Sequence, residues 1–216
     1  MSCGYRVVLI GGTSHVGKST VARSLASQLG WDTCPTDKLA RHPGRPWQAE
    51  PKQVPAHVAD HYLSLPADEL IADVLRHYRD NVWPLVESIV TLHATDLSTN
   101  QLIVEGSAVL PELAVTLTLH DVAAVWLSTS NELLERRIHT ASQYNAKSTR
   151  DKKMIDKFLE RTCLFNERTM DAVKRLGLAS VDVEKASNAD ELADMCLSAL
   201  EEQGRRIRNQ TGAGDS

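Results

Sequence analysis

The sequence contains few cysteines, and it contains no long apolar run. Its four cysteines, Cys3, Cys34, Cys163 and Cys196, are far apart and form no C-x-x-C pair, which excludes a zinc cluster or a disulfide framework. No apolar stretch reaches the roughly 18 residues of a membrane span. The predicted first strand begins almost at the N-terminus and leaves no room for a signal peptide. We therefore expect a cytoplasmic protein with reduced thiols and no membrane partner.

The chain also lacks an excess of basic residues. It has 24 Lys and Arg against 28 Asp and Glu, a net charge of −4, so nucleic acid is not an expected partner. The length of 216 residues and the 42% hydrophobic content fit a single domain. We predict this domain over residues 1–203 and a disordered tail, poor in apolar residues, over 204–216. The sequence leaves open whether the protein is a monomer or a homodimer.

Strand-like and helix-like segments alternate along the chain, which predicts an α/β fold with a parallel sheet. The predicted strands are 6–10, 31–35, 101–105, 122–127 and 179–183. The predicted helices are 67–97, with a kink at Pro84, and 131–140, 151–176 and 189–203. The proline-rich segment 38–66 is predicted to be an irregular excursion over the sheet edge, and such loops often carry substrate contacts.

A glycine-rich motif follows the first predicted strand and precedes an amphipathic segment. The motif G-x-x-x-x-G-K-S and the next residue comprise Gly12, Thr13, Ser14, His15, Val16, Gly17, Lys18, Ser19 and Thr20. In this strand–loop–helix context the motif binds the phosphates of a nucleotide such as ATP. Lys18 supplies a charge to the β and γ phosphates, and the Ser19 hydroxyl ligates Mg²⁺. We expect His15 to pack rather than to catalyse. The alternative is a glycine-rich turn that only resembles a phosphate loop.

An acidic residue follows the second predicted strand. Asp37 lies at the carboxyl edge of the sheet, where open α/β folds bind ligands. Its carboxylate can accept a proton from an attacking hydroxyl, which makes it the candidate catalytic base. The alternative is a helix cap on the turn from Lys38 to Arg41. Arg41 and Arg45 can hold an anionic substrate group, or they form a solvated loop face.

The third predicted strand ends in Glu105 followed by Gly106. This is the place of a Walker B element, so Glu105 is a candidate to hold Mg²⁺ or to contact the substrate. Gly106 lets the backbone pass close to a ligand. The alternative for Glu105 is an edge carboxylate that pairs with a nearby Lys or Arg.

Arginines lie before, within and after the polar run 139–153, and this run is typical of a mobile lid. Lid arginines can stabilise the charge that develops in phosphoryl transfer. The candidates are Arg136, Arg137, Arg150 and Arg161. Each of them is alternatively an ordinary surface charge.

These motifs together resemble the small P-loop kinases, and among them proteins similar to 2-phosphoglycerate kinase. The resemblance rests on residues 11–20, 36–37, 103–111, 157–161 and 165–166. It implies a five-stranded parallel sheet in the order 2-3-1-4-5, flanked by helices, with a lid over the nucleotide. Chloramphenicol phosphotransferase and gluconate kinase are similar in layout and place an aspartate near the acceptor hydroxyl, which matches Asp37.

The resemblance to adenylate kinases is more distant. They carry an arginine at the start of the lid segment that stacks on adenine, and Arg137 matches that position. The next arginine of their pattern falls at Ala141, a departure that argues against a nucleoside monophosphate acceptor.

The sequence therefore predicts an ATP- and Mg²⁺-dependent kinase that phosphorylates a small hydroxylated metabolite. The predicted acceptor is an anion similar to 2-phosphoglycerate, or another alcohol. Lys18, Asp37 and Arg137 are the predicted catalytic residues, and Asp37, Arg41 and Glu105 are predicted to contact the substrate. The alternatives are a nucleotide-binding regulatory module and a nucleoside or nucleotide kinase.

Overall fold

The computed structural model describes residues 4–40, 44–48 and 54–212, and five parallel strands form its centre. The strands are β1 (Val7–Gly12), β2 (Asp32–Pro35), β3 (Leu102–Glu105), β4 (Val122–Ser128) and β5 (Ala179–Asp182). Their order in the sheet is β2-β3-β1-β4-β5. The α/β fold with sheet order 2-3-1-4-5 is therefore confirmed.

The central strand β1 is buried on both faces because helices cover the sheet on each side. Val7, Val8, Leu9 and Ile10 are at most 1% exposed, which explains the continuous apolar run. Eight helices are described: α1 (Lys18–Leu29), α2 (Ala56–Ser64), α3 (Ala67–His77), α4 (Trp83–Thr95), α5 (Pro111–Ala114), α6 (Asn131–Ser142), α7 (Thr149–Arg175) and α8 (Ala189–Gly212).

The two faces of β1 contribute to two separate hydrophobic clusters. Val8 and Ile10 join a cluster with α1 and α8, which includes Leu25. Val7 and Leu9 join another with α4 and α7, which includes Val86. Alternation of side chains along the strand thus determines which helices each residue meets.

The long helix predicted over residues 67–97 is interrupted by a π-helical turn, Tyr78–Val82, between α3 and α4. Pro84 lies in the first turn of α4. Proline has no N–H and its ring collides with the carbonyl four residues earlier, so the hydrogen-bond pattern changes ahead of it. The change in helix geometry therefore comes before the proline itself.

The excursion 38–66 is more regular than its prolines suggest, because its last part forms α2. Val58, Ala59 and Tyr62 are buried at helical spacing and pack with Phe158 of α7. The expectation of an irregular segment is thus wrong for these residues, and contact with α7 gives the reason.

The C-terminal region also differs from the prediction. Helix α8 continues to Gly212 instead of ending at residue 203, so helix replaces most of the tail predicted to be disordered over 204–216. The helix packs on α1 and β5. Within the described residues, no helix combines the length and apolar character needed to cross a bilayer.

Candidate active site

The loop between β1 and α1 has the backbone geometry that a phosphate site requires. Gly17 precedes the helix in a left-handed conformation with φ 112°, and no side chain caps the helix. The first N–H groups of α1 therefore remain for an anionic ligand, and the positive end of the helix dipole favours one. The predicted strand–loop–helix context is confirmed.

Lys18 is the positive charge of this loop. It is 8% exposed, and its Nζ donates to the Thr13 carbonyl at 2.7 Å and to Ser107 Oγ at 3.2 Å. Burial lowers the pKa of Lys18 to about 8, although the carboxylates of Glu105 and Asp37 favour its charged form. A bound phosphate would add a counter-charge to this buried ammonium.

Ser19 and Glu105 bring two oxygen ligands together. Strand pairing places Glu105, at the end of β3, opposite Ile10 of β1. Its side chain is 6% exposed, and Glu105 Oε1 accepts a hydrogen bond of 2.8 Å from Ser19 Oγ. A hydroxyl and a carboxylate fit Mg²⁺, which takes one or two protein oxygens and completes its shell with phosphate and water.

Asp37 lies in a 3₁₀ turn, Thr36–Lys38, directly after β2. The residue preceding this turn is Pro35, and no side chain caps it. The cap considered above belongs to a turn that reaches Arg41, which lies outside the described residues. Gly106 fixes the position of the turn, because a Cβ at Gly106 would overlap the side chain of Thr36. The backbone after β3 thus lies closer to the Asp37 turn than a residue with a Cβ at position 106 would allow.

Arg137 contacts the phosphate loop itself. Its guanidinium donates to the carbonyls of His15 at 3.0 Å and Val16 at 2.9 Å. Helix α6 thereby brings a positive charge beside the loop. Arg136 and Arg150 are exposed, whereas Arg161 is only 7% exposed.

A cavity of about 560 Å³ lies over the phosphate loop and is here called the phosphate-loop cavity. Lys18, Ser19, Glu105 and Arg137 contribute to its polar part, and residues between Val183 and Leu192, among them Ala186 and Ala189, line another part. This size lies within the range of ligand sites. The lining suits the phosphates of a nucleotide at one end and an apolar ring at the other.

A second cavity of about 430 Å³ lies beside the first and is here called the Asp37–Arg161 cavity. Besides these two residues its lining includes Thr36, Arg45, Trp47, Tyr78 and Phe158. Ser14, Asp37 and Arg45 line both cavities. The two spaces therefore meet at the residue predicted to be the base.

An aromatic cluster joins the phosphate loop to the second cavity. The His15 ring lies 5.6 Å from the Trp47 ring and 5.8 Å from the Phe158 ring. Burial and three neighbouring cations, Arg45 first among them, lower the pKa of His15 to about 4. The packing role expected for His15 is confirmed, and its imidazole is neutral at pH 7.

Sequence reasoning missed two residues that connect the cavities. Tyr78, from the π-helical turn, lines the Asp37–Arg161 cavity, and Ser107, whose Oγ accepts a hydrogen bond from Lys18, lines the phosphate-loop cavity. Burial raises the pKa of Tyr78 to about 12. Tyr78 belongs to no motif, and Ser107 entered only the resemblance over 103–111 without a role, so the sequence carries no signal for where either side chain lies. Arg41, the other predicted substrate contact, lies outside the described residues.

Comparison with known proteins supports the fold. No protein-family model matches the chain, and no curated protein sequence matches it. Among solved structures it is similar to a gluconokinase from Sinorhizobium meliloti, with 18% identity over 94% of this chain and 96% of that chain and a TM-score of 0.53. It is also similar to a shikimate kinase from Aquifex aeolicus, with 14% identity over 91% and 97% and a TM-score of 0.52. The chain has the fold of the P-loop kinases.

Proposed function

We propose that this protein transfers the γ-phosphoryl group of Mg-ATP to a hydroxyl of a small metabolite. One observation carries the proposal: the phosphate-loop cavity and the Asp37–Arg161 cavity share Ser14, Asp37 and Arg45. A triphosphate on the loop and an acceptor in the second cavity would meet beside Asp37. Juxtaposition of reactants is the main requirement of phosphoryl transfer.

The phosphate loop and two residues beside it have separate roles in this reaction. The backbone from Gly12 to Thr20 holds the phosphates, and Lys18 neutralises their charge. Ser19 and Glu105 would hold Mg²⁺, which would further neutralise the phosphate oxygens. Arg137 holds the loop in shape through its two carbonyl contacts.

Asp37 acts on the acceptor. Its carboxylate takes the proton of the acceptor hydroxyl as that oxygen bonds to the γ-phosphorus, and the bond from phosphorus to the bridging oxygen breaks to release ADP. The 3₁₀ turn leaves the carboxylate exposed to the cavities, where it can meet an acceptor. Candidate acceptors include 2-phosphoglycerate and sugar acids such as gluconate.

The test is to incubate the protein with Mg²⁺, ATP and a panel of hydroxylated metabolites, and to seek phosphorylated products by mass spectrometry. We expect a product that is absent with Lys18→Ala, whose loop lacks the central charge. The matched control is Lys174→Ala, at an exposed lysine of α7 outside both cavities. Tight ATP binding without a product across the panel would overturn the kinase proposal and favour a regulatory module.

A further inference from the structure

Arg161 of α7 is a buried cation without a counter-charge in the described part of the chain. It is 7% exposed, no carboxylate there lies within ion-pair distance of it, and its Nη1 has no hydrogen-bond partner. Burying a charge is costly unless it is paired. Most folded proteins avoid such an arrangement, so an unpaired buried guanidinium at a cavity calls for a ligand.

Two aromatic rings hold this guanidinium in place. Its central carbon lies 4.7 Å from the Phe158 ring centroid and 5.6 Å from that of Tyr62. Both rings are almost completely buried, and cation–π attraction offsets part of the desolvation cost. The ring faces offer only weak hydrogen-bond acceptors, so the charge stays without a partner among the described residues, while the small exposed part of Arg161 lines the cavity.

The cavity around Arg161 carries a net positive charge. Its described lining includes two arginines, Arg45 and Arg161, against one carboxylate, Asp37. Arg45 lines both cavities, so it lies near the place of transfer. Arg161 lines only the second cavity and is available to the part of the acceptor that does not react.

We propose that the acceptor carries a carboxylate or phosphate group bound by Arg161, in addition to the hydroxyl that faces Asp37. The planar fork of a guanidinium matches the oxygens of either group. This inference rests on the proposed function in one respect, namely that the Asp37–Arg161 cavity is the acceptor site. It names the substrate class as small hydroxylated anions and excludes neutral polyols of the same size.

The experiment measures binding and does not require turnover. The protein is first saturated with Mg²⁺ and a non-hydrolysable ATP analogue, so that an added anion cannot occupy the phosphate loop. Calorimetric titration then compares gluconate with glucitol and glycerol 3-phosphate with glycerol. In at least one pair we expect the anion to bind at least about tenfold more tightly than the neutral polyol, which is the contribution of one charged hydrogen bond. The pair that shows this difference tells whether the site prefers a carboxylate or a phosphate.

Arg161→Gln should abolish this preference while affinity for the ATP analogue stays unchanged, which also proves that the variant is folded. Arg168→Gln is the matched control because Arg168 is an exposed arginine of the same helix. Equal binding within both pairs, no anion binding, or an unchanged preference in Arg161→Gln overturns the inference. An anion-selective protein that transfers no phosphoryl group would remove the proposed function alone.

Discussion

The two cavities are built in different ways. The phosphate-loop cavity takes the largest contiguous part of its lining from one short segment, Ser14 to Thr20. The Asp37–Arg161 cavity takes its lining from the phosphate loop, the turn after β2, the excursion, the π-helical turn and α7. A site made by contiguous residues is recognisable in a sequence, whereas a site made by distant segments depends on their packing. Four predictions probe this difference, in order of decreasing effect.

Asp37→Asn should affect the reaction at the junction of the cavities and leave nucleotide binding intact. An amide cannot take the acceptor proton, so kcat should fall about 10²- to 10⁴-fold. Stopped assays with saturating acceptor measure kcat, and fluorescence titration with an ATP analogue measures affinity. Asp32→Asn, an exposed aspartate of β2, is the control. Full activity in Asp37→Asn would contradict the base role.

Glu105→Gln should damage the phosphate-loop cavity alone. The amide is a weaker Mg²⁺ ligand than the carboxylate, so we expect about tenfold more Mg²⁺ to be needed for half-maximal activity, a loss of the size of one charged hydrogen bond. A titration of activity with Mg²⁺ at fixed ATP measures it. Glu112→Gln, at an exposed site, should leave the Mg²⁺ requirement unchanged. A loss of acceptor binding with an unaltered Mg²⁺ requirement would instead assign Glu105 to the substrate.

Gly106→Ala should displace the turn that contains Thr36 and Asp37, where the two cavities meet. Its Cβ would overlap Thr36, and overpacking of this kind costs about 1–3 kcal/mol. Urea unfolding followed by circular dichroism measures this loss of stability. Gly4→Ala is the matched control, because a Cβ at Gly4 meets no atom within 4 Å. Equal stability of the two variants would show that the turn and β3 can separate without cost.

His15 should make the aromatic cluster between the cavities sensitive to acid. Its folded pKa of about 4 lies below the ordinary 6.5, so the unfolded chain binds the proton more readily between these values. The stability that neutral His15 contributes is therefore complete above pH 6.5 and is lost as the pH falls towards 4.

Urea unfolding of the wild type and His15→Gln from pH 7.5 to pH 4 measures this loss. The variant should lose less stability over this range, whereas His57→Gln, at an exposed histidine, should follow the wild type. Parallel curves for the wild type and His15→Gln would contradict the burial of a neutral imidazole.

The sequence predicted the parts whose signals are local. Apolar runs identified β1, β3 and β4, the weaker β2 and β5 were also predicted, and glycine, lysine and serine at fixed spacing identified the phosphate loop. Helix α2 was missed because Val58, Ala59 and Tyr62 follow several prolines and are stabilised by contact with α7. The π-helical turn was also missed, because Pro84 alters the hydrogen bonding of residues that precede it.

The sequence by itself determined the phosphate loop, because its backbone amides, Lys18 and Ser19 are consecutive. It also determined the candidate carboxylates, because Asp37 lies in the turn after β2 and Glu105 ends β3. Only the tertiary structure decided the second cavity, where Trp47, Tyr78, Phe158 and Arg161 come together. The physical reason is that helix packing determines which side chains meet across long sequence separations. The absence of a counter-charge for Arg161 among the described residues likewise depends on which neighbours folding places around it.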